Sequence, residues 1–213
     1  MTTVLLIRHA VNDWVKTGKL AGWTPGVHLN EDGQAQASAL GERLAKAPLR
    51  AVYASPLERT METAQAIAAH HPGMVVQPLE AVGEVRFGRW QGEEIARLAR
   101  RKMWYVIQHV PTRAYFPEGE SLRAVQARAV DAVEALVQRH PRDMIAVVSH
   151  SDVIKMVLAH YLGAHLDHFQ RIMISPASLS VLMLGHGRPV VVTVNDTSHC
   201  PPKADQQPEA GEG

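Results

Sequence analysis

The chain contains a single cysteine, Cys200, in 213 residues. An intramolecular disulfide is therefore excluded, and the thiol content fits a reducing compartment. Charge of one sign is also missing: 22 Lys and Arg stand against 21 Asp and Glu, a formal +1. That balance gives no electrostatic case for nucleic-acid binding, though it leaves room for a local cationic pocket. No apolar stretch reaches the roughly 18 residues that a membrane span needs. No basic segment precedes the first apolar run, residues 4–7, and that run is only of strand length, which argues against a signal peptide. A cytoplasmic protein without a membrane or nucleic-acid partner is expected.

What is present suffices for a sizeable core. Apolar residues make up 46% of a length that fits one domain, or one domain with a lid. Short β-type runs alternate with helical periodicity along the chain. Residues 4–7 read as a buried strand. Asn30 is a candidate cap for a helix over 31–47, whose Ala37, Leu40, Leu44 and Ala47 keep helical spacing. Residues 51–54 are a second strand, after which Ser55 caps a helix with Pro56 at its first position. A third strand is expected at 74–76. A long helix over 119–139 follows, then a strand at 144–148 and a helix at 152–162 ending at Gly163. Two late strands, 179–184 and 190–194, are joined through Gly185-His186-Gly187.

The alternation predicts an α/β fold: a three-layer sandwich with a mainly parallel central sheet flanked by helices. Residues 85–120 fall between sheet elements and are expected to form a small helical cap on a single domain spanning 1–200. Four aromatics of this stretch, Trp104, Tyr105, Tyr115 and Phe116, suit cap core or substrate wall equally. The tail 201–213, rich in Pro, Glu, Gln and Gly, is expected to be disordered.

Three of the strands end in chemistry-bearing residues. The first ends in Arg8-His9, the second leads into Ser55-Pro56-Leu57-Glu58-Arg59, and the fourth ends in Ser149-His150-Ser151. Parallel strands bring their carboxyl ends together, which is where open α/β sheets place ligands. Two Arg, two His and two helix N-termini thus converge on one volume, a set suited to a phosphoryl group. Transfer from a phosphate ester also needs a proton for the leaving oxygen. Glu84, ahead of the loop Val85-Arg86-Phe87-Gly88-Arg89-Trp90-Gln91-Gly92, is the leading candidate. Glu93 and Glu94 rank behind it, since they read as solvated acids in a first helical turn. His160, His165 and His168 match no standard metal-ligand spacing, so no metal is expected.

These segments resemble the histidine phosphatase superfamily, also called the phosphoglycerate mutase-like family. The similarity runs in family order from Leu6-Ile7-Arg8-His9 through Leu29-Asn30-Glu31-Asp32-Gly33, Tyr53-Ala54-Ser55-Pro56-Leu57-Glu58-Arg59-Thr60 and Glu84. It continues through Phe87-Gly88-Arg89-Trp90-Gln91-Gly92, Pro117-Glu118-Gly119-Glu120-Ser121 and Val147-Val148-Ser149-His150 to Asn195-Asp196-Thr197, covering about residues 3–199. The resemblance implies His9 as nucleophile and phosphohistidine carrier. It implies Arg8, Arg59 and His150 as clamps on the phosphoryl oxygens, and Glu84 as general acid and then base. No metal or organic cofactor is implied.

Departures from the family pattern surround that set. Ala10 stands where Gly is frequent, which requires a backbone angle outside the left-handed region. Asn12 replaces a Ser or Thr and keeps a polar contact for substrate. Ala21 lacks a hydroxyl, leaving the backbone of Gly22 as the contact. Ser151 replaces a Gly; its N–H is retained and its side chain narrows the pocket. The Arg-rich patch and the Tyr of glycolytic mutases are missing, with Phe87 at the latter position and Arg100-Arg101-Lys102 reading as a solvated helix face. The leading expectation is a phosphatase acting on a small phosphorylated metabolite. A phosphoglycerate-type phosphomutase is the alternative within enzymes. A non-catalytic phospholigand-binding module is the alternative outside them, disfavoured because a binder has no need of an acid. The natural substrate and the quaternary state, a homodimer included, stay open.

Overall fold

The structure, a computed structural model, describes residues 1–200. The tail expected to be disordered from Pro201 onward lies outside the described residues. Six strands form one mixed sheet in the order β3-β2-β4-β1-β5-β6. They are β1 (Thr2–Arg8), β2 (Leu49–Ala54), β3 (Val76–Pro78), β4 (Met144–Ser149), β5 (Leu179–Leu184) and β6 (Val190–Asp196). The first four are parallel. β5 pairs antiparallel with β1, and β6 pairs antiparallel with β5, the latter as the short connection over residues 185–189 demands.

Side-chain alternation along the strands assigns the two faces. Leu5, Ile7, Val52, Ala54, Ala146 and Val148 pack with Leu40 and Leu44 of α2 (Glu31–Leu44) and with Ala64 and Ile67 of α3 (Glu58–Ala68). On the opposite face, Val4, Leu6, Ala51, Tyr53, Ile145 and Val147 pack with α6 (Leu122–Arg139) and α7 (Ser151–Tyr161). Both faces of β1 and β4 are thus covered, and this is why their sequences read as unbroken apolar runs. Register does the rest of the positioning. Arg8 is opposite Ser149 and Ala54 is opposite Val148, so three carboxyl ends finish level with one another.

Short helices complete the chain: α1 (Asp13–Thr17), α4 (Ile95–Leu98) and α5 (Lys102–His109), with single 3-10 turns at Glu80–Val82, Gly88–Trp90, Pro111–Arg113 and a longer one at Leu166–Arg171. Of the aromatics in this region, Phe116 is buried, with its ring edge-on to both Phe87 and Trp90. Trp104 stacks on Trp90, whereas Tyr105 and Tyr115 are exposed. They are core and surface respectively.

Several element boundaries differ from expectation. α3 begins at Glu58 behind Leu57, which makes no side-chain cap, and not at Ser55-Pro56. The Ser55 hydroxyl is engaged by a histidine across the sheet and is not free to cap. The third strand lies at Val76–Pro78 because Gly73 sits in a left-handed turn, closed by Met74 N–H donating to His71 C=O, and Val75 is still exposed beyond it. The long helix starts at Leu122, where Ser121 Oγ accepts from Ala124 N–H. The helix expected to reach residue 47 ends at Leu44. Among the described residues no helix is long and apolar enough to cross a membrane.

Candidate active site

His9 leaves the end of β1 with its backbone held on both sides. Its N–H donates to Ser149 C=O at 3.0 Å, and its C=O accepts from Ala177 N–H at 3.2 Å. The ring is fixed by Nδ1, which lies 2.7 Å from Ala10 C=O. A carbonyl can only accept, so the proton is on Nδ1 and the lone pair is on Nε2. Burial, and then the charges of Arg59 and Arg8, push the His9 pKa well below the ordinary range. The imidazole is therefore neutral at neutral pH, the state a nucleophile requires. Ala10 is fully buried and does not have positive φ, so the methyl that replaces a hydrogen causes no backbone strain.

His150 is fully buried at the N-cap of α7, with its ring centroid 5.3 Å from that of His9. Its Nδ1 accepts from Arg59 Nη2 at 3.3 Å, and its Nε2 lies 2.8 Å from Ser55 Oγ. Because a guanidinium can only donate, the ring proton is on Nε2 and points to Ser55. Desolvation, followed by the charge of Arg59, lowers its pKa well below the usual value. Two histidines in contact are thus both kept neutral by burial beside cations.

The two arginines are the site's principal anomaly. Arg59 is only 1% exposed; Nη2 donates to Gly22 C=O at 2.9 Å as well as to His150, while the buried Nη1 has no partner. Arg8 donates from Nη1 to Ile174 C=O at 2.7 Å, and its buried Nε has no partner either. Desolvation lowers the pKa of each, yet guanidinium groups stay charged in proteins. Two buried cationic donors without acceptors are costly, and an anion placed between them removes that cost.

Glu84 completes the cluster. Its Oε1 accepts from Val85 N–H at 2.9 Å, and its Oε2 is 3.7 Å from His150 Nδ1. Burial, and secondarily the negative charge of Asp152, raise its pKa to about 7 against the opposing pull of Arg59 and Arg8. An acid poised near neutrality can give a proton and take it back. Glu93 pairs with Arg97 and Arg101, and Glu94 stands at the N-terminal end of α4 without a side-chain cap bond; neither is among the groups that contact His9, His150 or Glu84.

The three expected substrate contacts fare differently. Asn12 is buried, but its Oδ1 is already committed to Val15 N–H as the cap of α1, which leaves only its amide nitrogen available. Gly22 meets Arg59 through its carbonyl. It has φ +53°, and a side chain there would contact Gln91 Oε1 at 2.9 Å. Ser151 opens α7, with its Oγ 3.4 Å from the same Ile174 carbonyl that receives Arg8. Sequence reasoning missed Ser55 as the partner of His150, Asp152 as a charge acting on Glu84, and the Ile174 carbonyl as the anchor of Arg8. The signal for Asp152 is an acid in the first turn of the helix that follows His150. His160 and His165 line an open cavity of about 470 Å³ with Arg123 and Gln126, away from this cluster. Among the described residues no three His, Cys, Asp or Glu are grouped to hold a metal ion.

Residues 4–197 match the family described as Histidine phosphatase superfamily (branch 1). Phosphoserine phosphatase 1 of Hydrogenobacter thermophilus is 29% identical over 204 residues, covering 93% of this chain and 94% of that protein. Among solved structures, Bacillus stearothermophilus YhfR superposes with a TM-score of 0.88 at 27% identity, covering 94% of this chain and all of that one. A phosphoserine phosphatase mutant from Entamoeba histolytica, in complex with phosphoserine, superposes with a TM-score of 0.85 at 25% identity, covering 93% of this chain and 99% of that one.

Proposed function

The chain belongs to the histidine phosphatase superfamily, and from that premise we propose that it hydrolyses small phosphomonoesters through a phosphohistidine on His9. The observation that carries this reading is the pair of unpartnered buried donors, Arg8 Nε and Arg59 Nη1, clustered with a neutral His9 and a Glu84 of near-neutral pKa. Phosphate oxygens accept from the two guanidinium groups. His9 Nε2 attacks phosphorus as the bond to the ester oxygen breaks, and Glu84 passes its proton to that oxygen. The alcohol leaves. Glu84, now a carboxylate, takes a proton from water as the water oxygen attacks the phosphohistidine. Inorganic phosphate is released, and His9 and Glu84 return to their starting forms.

His150 serves as a third donor if its proton moves to Nδ1 and Arg59 Nη2 turns from that nitrogen to a phosphoryl oxygen. Ser55 accommodates that change, since a hydroxyl either accepts from Nε2 or donates to it. The charge of the transferring group is then met by fixed donors in a site largely closed to water. The phosphoserine phosphatases among the relatives, one solved with phosphoserine and one with 3-phosphoglyceric acid, favour phosphoserine and phosphoglycerate as first substrates to try.

A panel of phosphorylated metabolites, read as inorganic phosphate release, tests the proposal. Wild type is expected to release phosphate, to be inhibited by vanadate, and to lose activity in His9→Ala. Release that persists in His9→Ala, or isomerisation that outruns release, overturns it.

A further inference from the structure

Glu84 lies on an irregular segment, yet that segment is held on every side. Arg128 of α6 donates from Nη1 to the carbonyls of Ala81 at 2.7 Å and Gly83 at 2.9 Å, and from Nη2 to the carbonyl of Glu84 itself at 3.0 Å. Its remaining donors go to Glu120: Nη2 to Oε1 at 2.7 Å and Nε to Oε2 at 3.1 Å. Glu120 closes the loop from the other side, since its Oε1 also accepts from Arg86 N–H at 2.8 Å. Trp23 Nε1 adds a second donor to the Glu84 carbonyl at 2.6 Å.

The packing explains why this bracket is rigid. A Cβ at Gly119 would lie 2.0 Å from Arg86 C=O, and one at Gly88 would lie 2.0 Å from Pro117 C=O. The segment bearing Glu84 and the segment leading into α6 thus touch backbone to backbone. The Arg128–Glu120 pair itself is largely buried, with side-chain exposures of 24% and 16%. A planar guanidinium with all its nitrogens engaged tolerates little displacement of the carbonyls it binds.

We infer that Arg128, braced by Glu120, is the positioning residue that sets where the Glu84 carboxyl stands relative to the phosphoryl site. Arg128 touches neither substrate nor reacting atoms; it acts through Glu84, and the inference rests on the acid role given to Glu84 above. Its signature is therefore selective. Proton donation matters most when the leaving oxygen is basic and least when the leaving group departs unaided.

The test compares phenyl phosphate with p-nitrophenyl phosphate, two esters of similar shape whose leaving groups differ widely in basicity. Arg128→Met is expected to lower kcat/KM, which reports phosphoryl transfer to His9 and not the later water step, roughly 10-fold or more on phenyl phosphate, within the span of a general acid's contribution, and by less than about 3-fold on p-nitrophenyl phosphate. In a Glu84→Gln background the same change is expected to add less than about 2-fold on phenyl phosphate, because the two residues act as one unit. If Arg128→Met does not fold, Arg128→Lys carries the test, since it keeps the charge but loses the fork; the same selective pattern is expected with a smaller loss. Equal losses of kcat/KM on both esters, or a full additional loss in Glu84→Gln, overturn the positioning role while leaving the phosphatase intact. No hydrolysis by wild type of either ester or of any metabolite in the panel above overturns the phosphatase reading, and the positioning role with it.

Discussion

The Glu84 carboxyl offers a prediction that can be worked through in magnitude. Burial and the neighbouring Asp152 lift its pKa from 4.5 to about 7. A shift of that size favours the neutral form by about 3 kcal/mol relative to an ordinary glutamate. At pH 7 about half of the molecules then hold the acid, whereas an unshifted glutamate would hold it in a few per thousand; the gain in acid form is on the order of 100-fold. Activity on an ester with a basic leaving group should therefore fall as pH rises through about 7, because the proton to be delivered is gone. His9 contributes no limb there, since its pKa is displaced far downward and it is neutral throughout. The substrate's own second ionisation, near pH 6, contributes equally in every variant.

Asp152→Asn separates the two. Its carboxylate disfavours ionisation of Glu84, so its removal lowers the Glu84 pKa and moves the alkaline limb of kcat/KM toward acid pH. Above the limb, each half unit of movement costs about 3-fold in rate. In Glu84→Gln the limb should vanish along with most of the activity. A limb that stays in place in Asp152→Asn, or persists in Glu84→Gln, refutes the assignment of Glu84 as the titrating acid.

Other expectations follow from the same cluster. Arg59→Met should reduce kcat by about 100-fold or more, as loss of one preorganised donor typically does. It should also raise the melting temperature of the free protein, because Arg59 Nη1 is buried without a partner. Inorganic phosphate or vanadate should stabilise wild type by about 2.7 kcal/mol at a hundredfold excess over Kd. That stabilisation, read by thermal unfolding, should be lost in Arg8→Ala and in Arg59→Ala. Phe116→Ala, which removes a ring packed edge-on against Phe87 and Trp90, should cost about 3–5 kcal/mol in denaturant unfolding.

The site was legible in the sequence where local pattern and topology coincide. Arg8-His9 and Ser149-His150 follow apolar runs, and an apolar run with both faces covered can hardly be anything but a central strand. Once those strands are parallel neighbours, their ends meet, and register puts Arg8 beside Ser149. Arg59 could be placed without its helix boundary being correct, because a shift of the start from Ser55 to Glu58 leaves it in the first turn. What was not legible depends on contacts distant in sequence. Nothing near Ser55 announces a histidine 95 positions away, so a good capping residue was read as a cap. Glu84 could be nominated but not placed, since its backbone carbonyl is held by donors 61 positions before it and 44 after it, at Trp23 and Arg128. The third strand slipped by two residues because an edge strand carries little burial to mark it, and Val75 is 73% exposed.

The phosphohistidine is the claim on which everything else depends. Brief mixing of the protein with phosphoryl-labelled p-nitrophenyl phosphate, a rapid denaturing quench at alkaline pH, and peptide mass spectrometry would locate any covalent phosphoryl group. The expected result is an acid-labile, base-stable modification on His9 that is absent from His9→Ala. It should build up further in Glu84→Gln, where the water step lacks its base. A turning-over enzyme with no label on His9, or with label on another residue, would contradict the account.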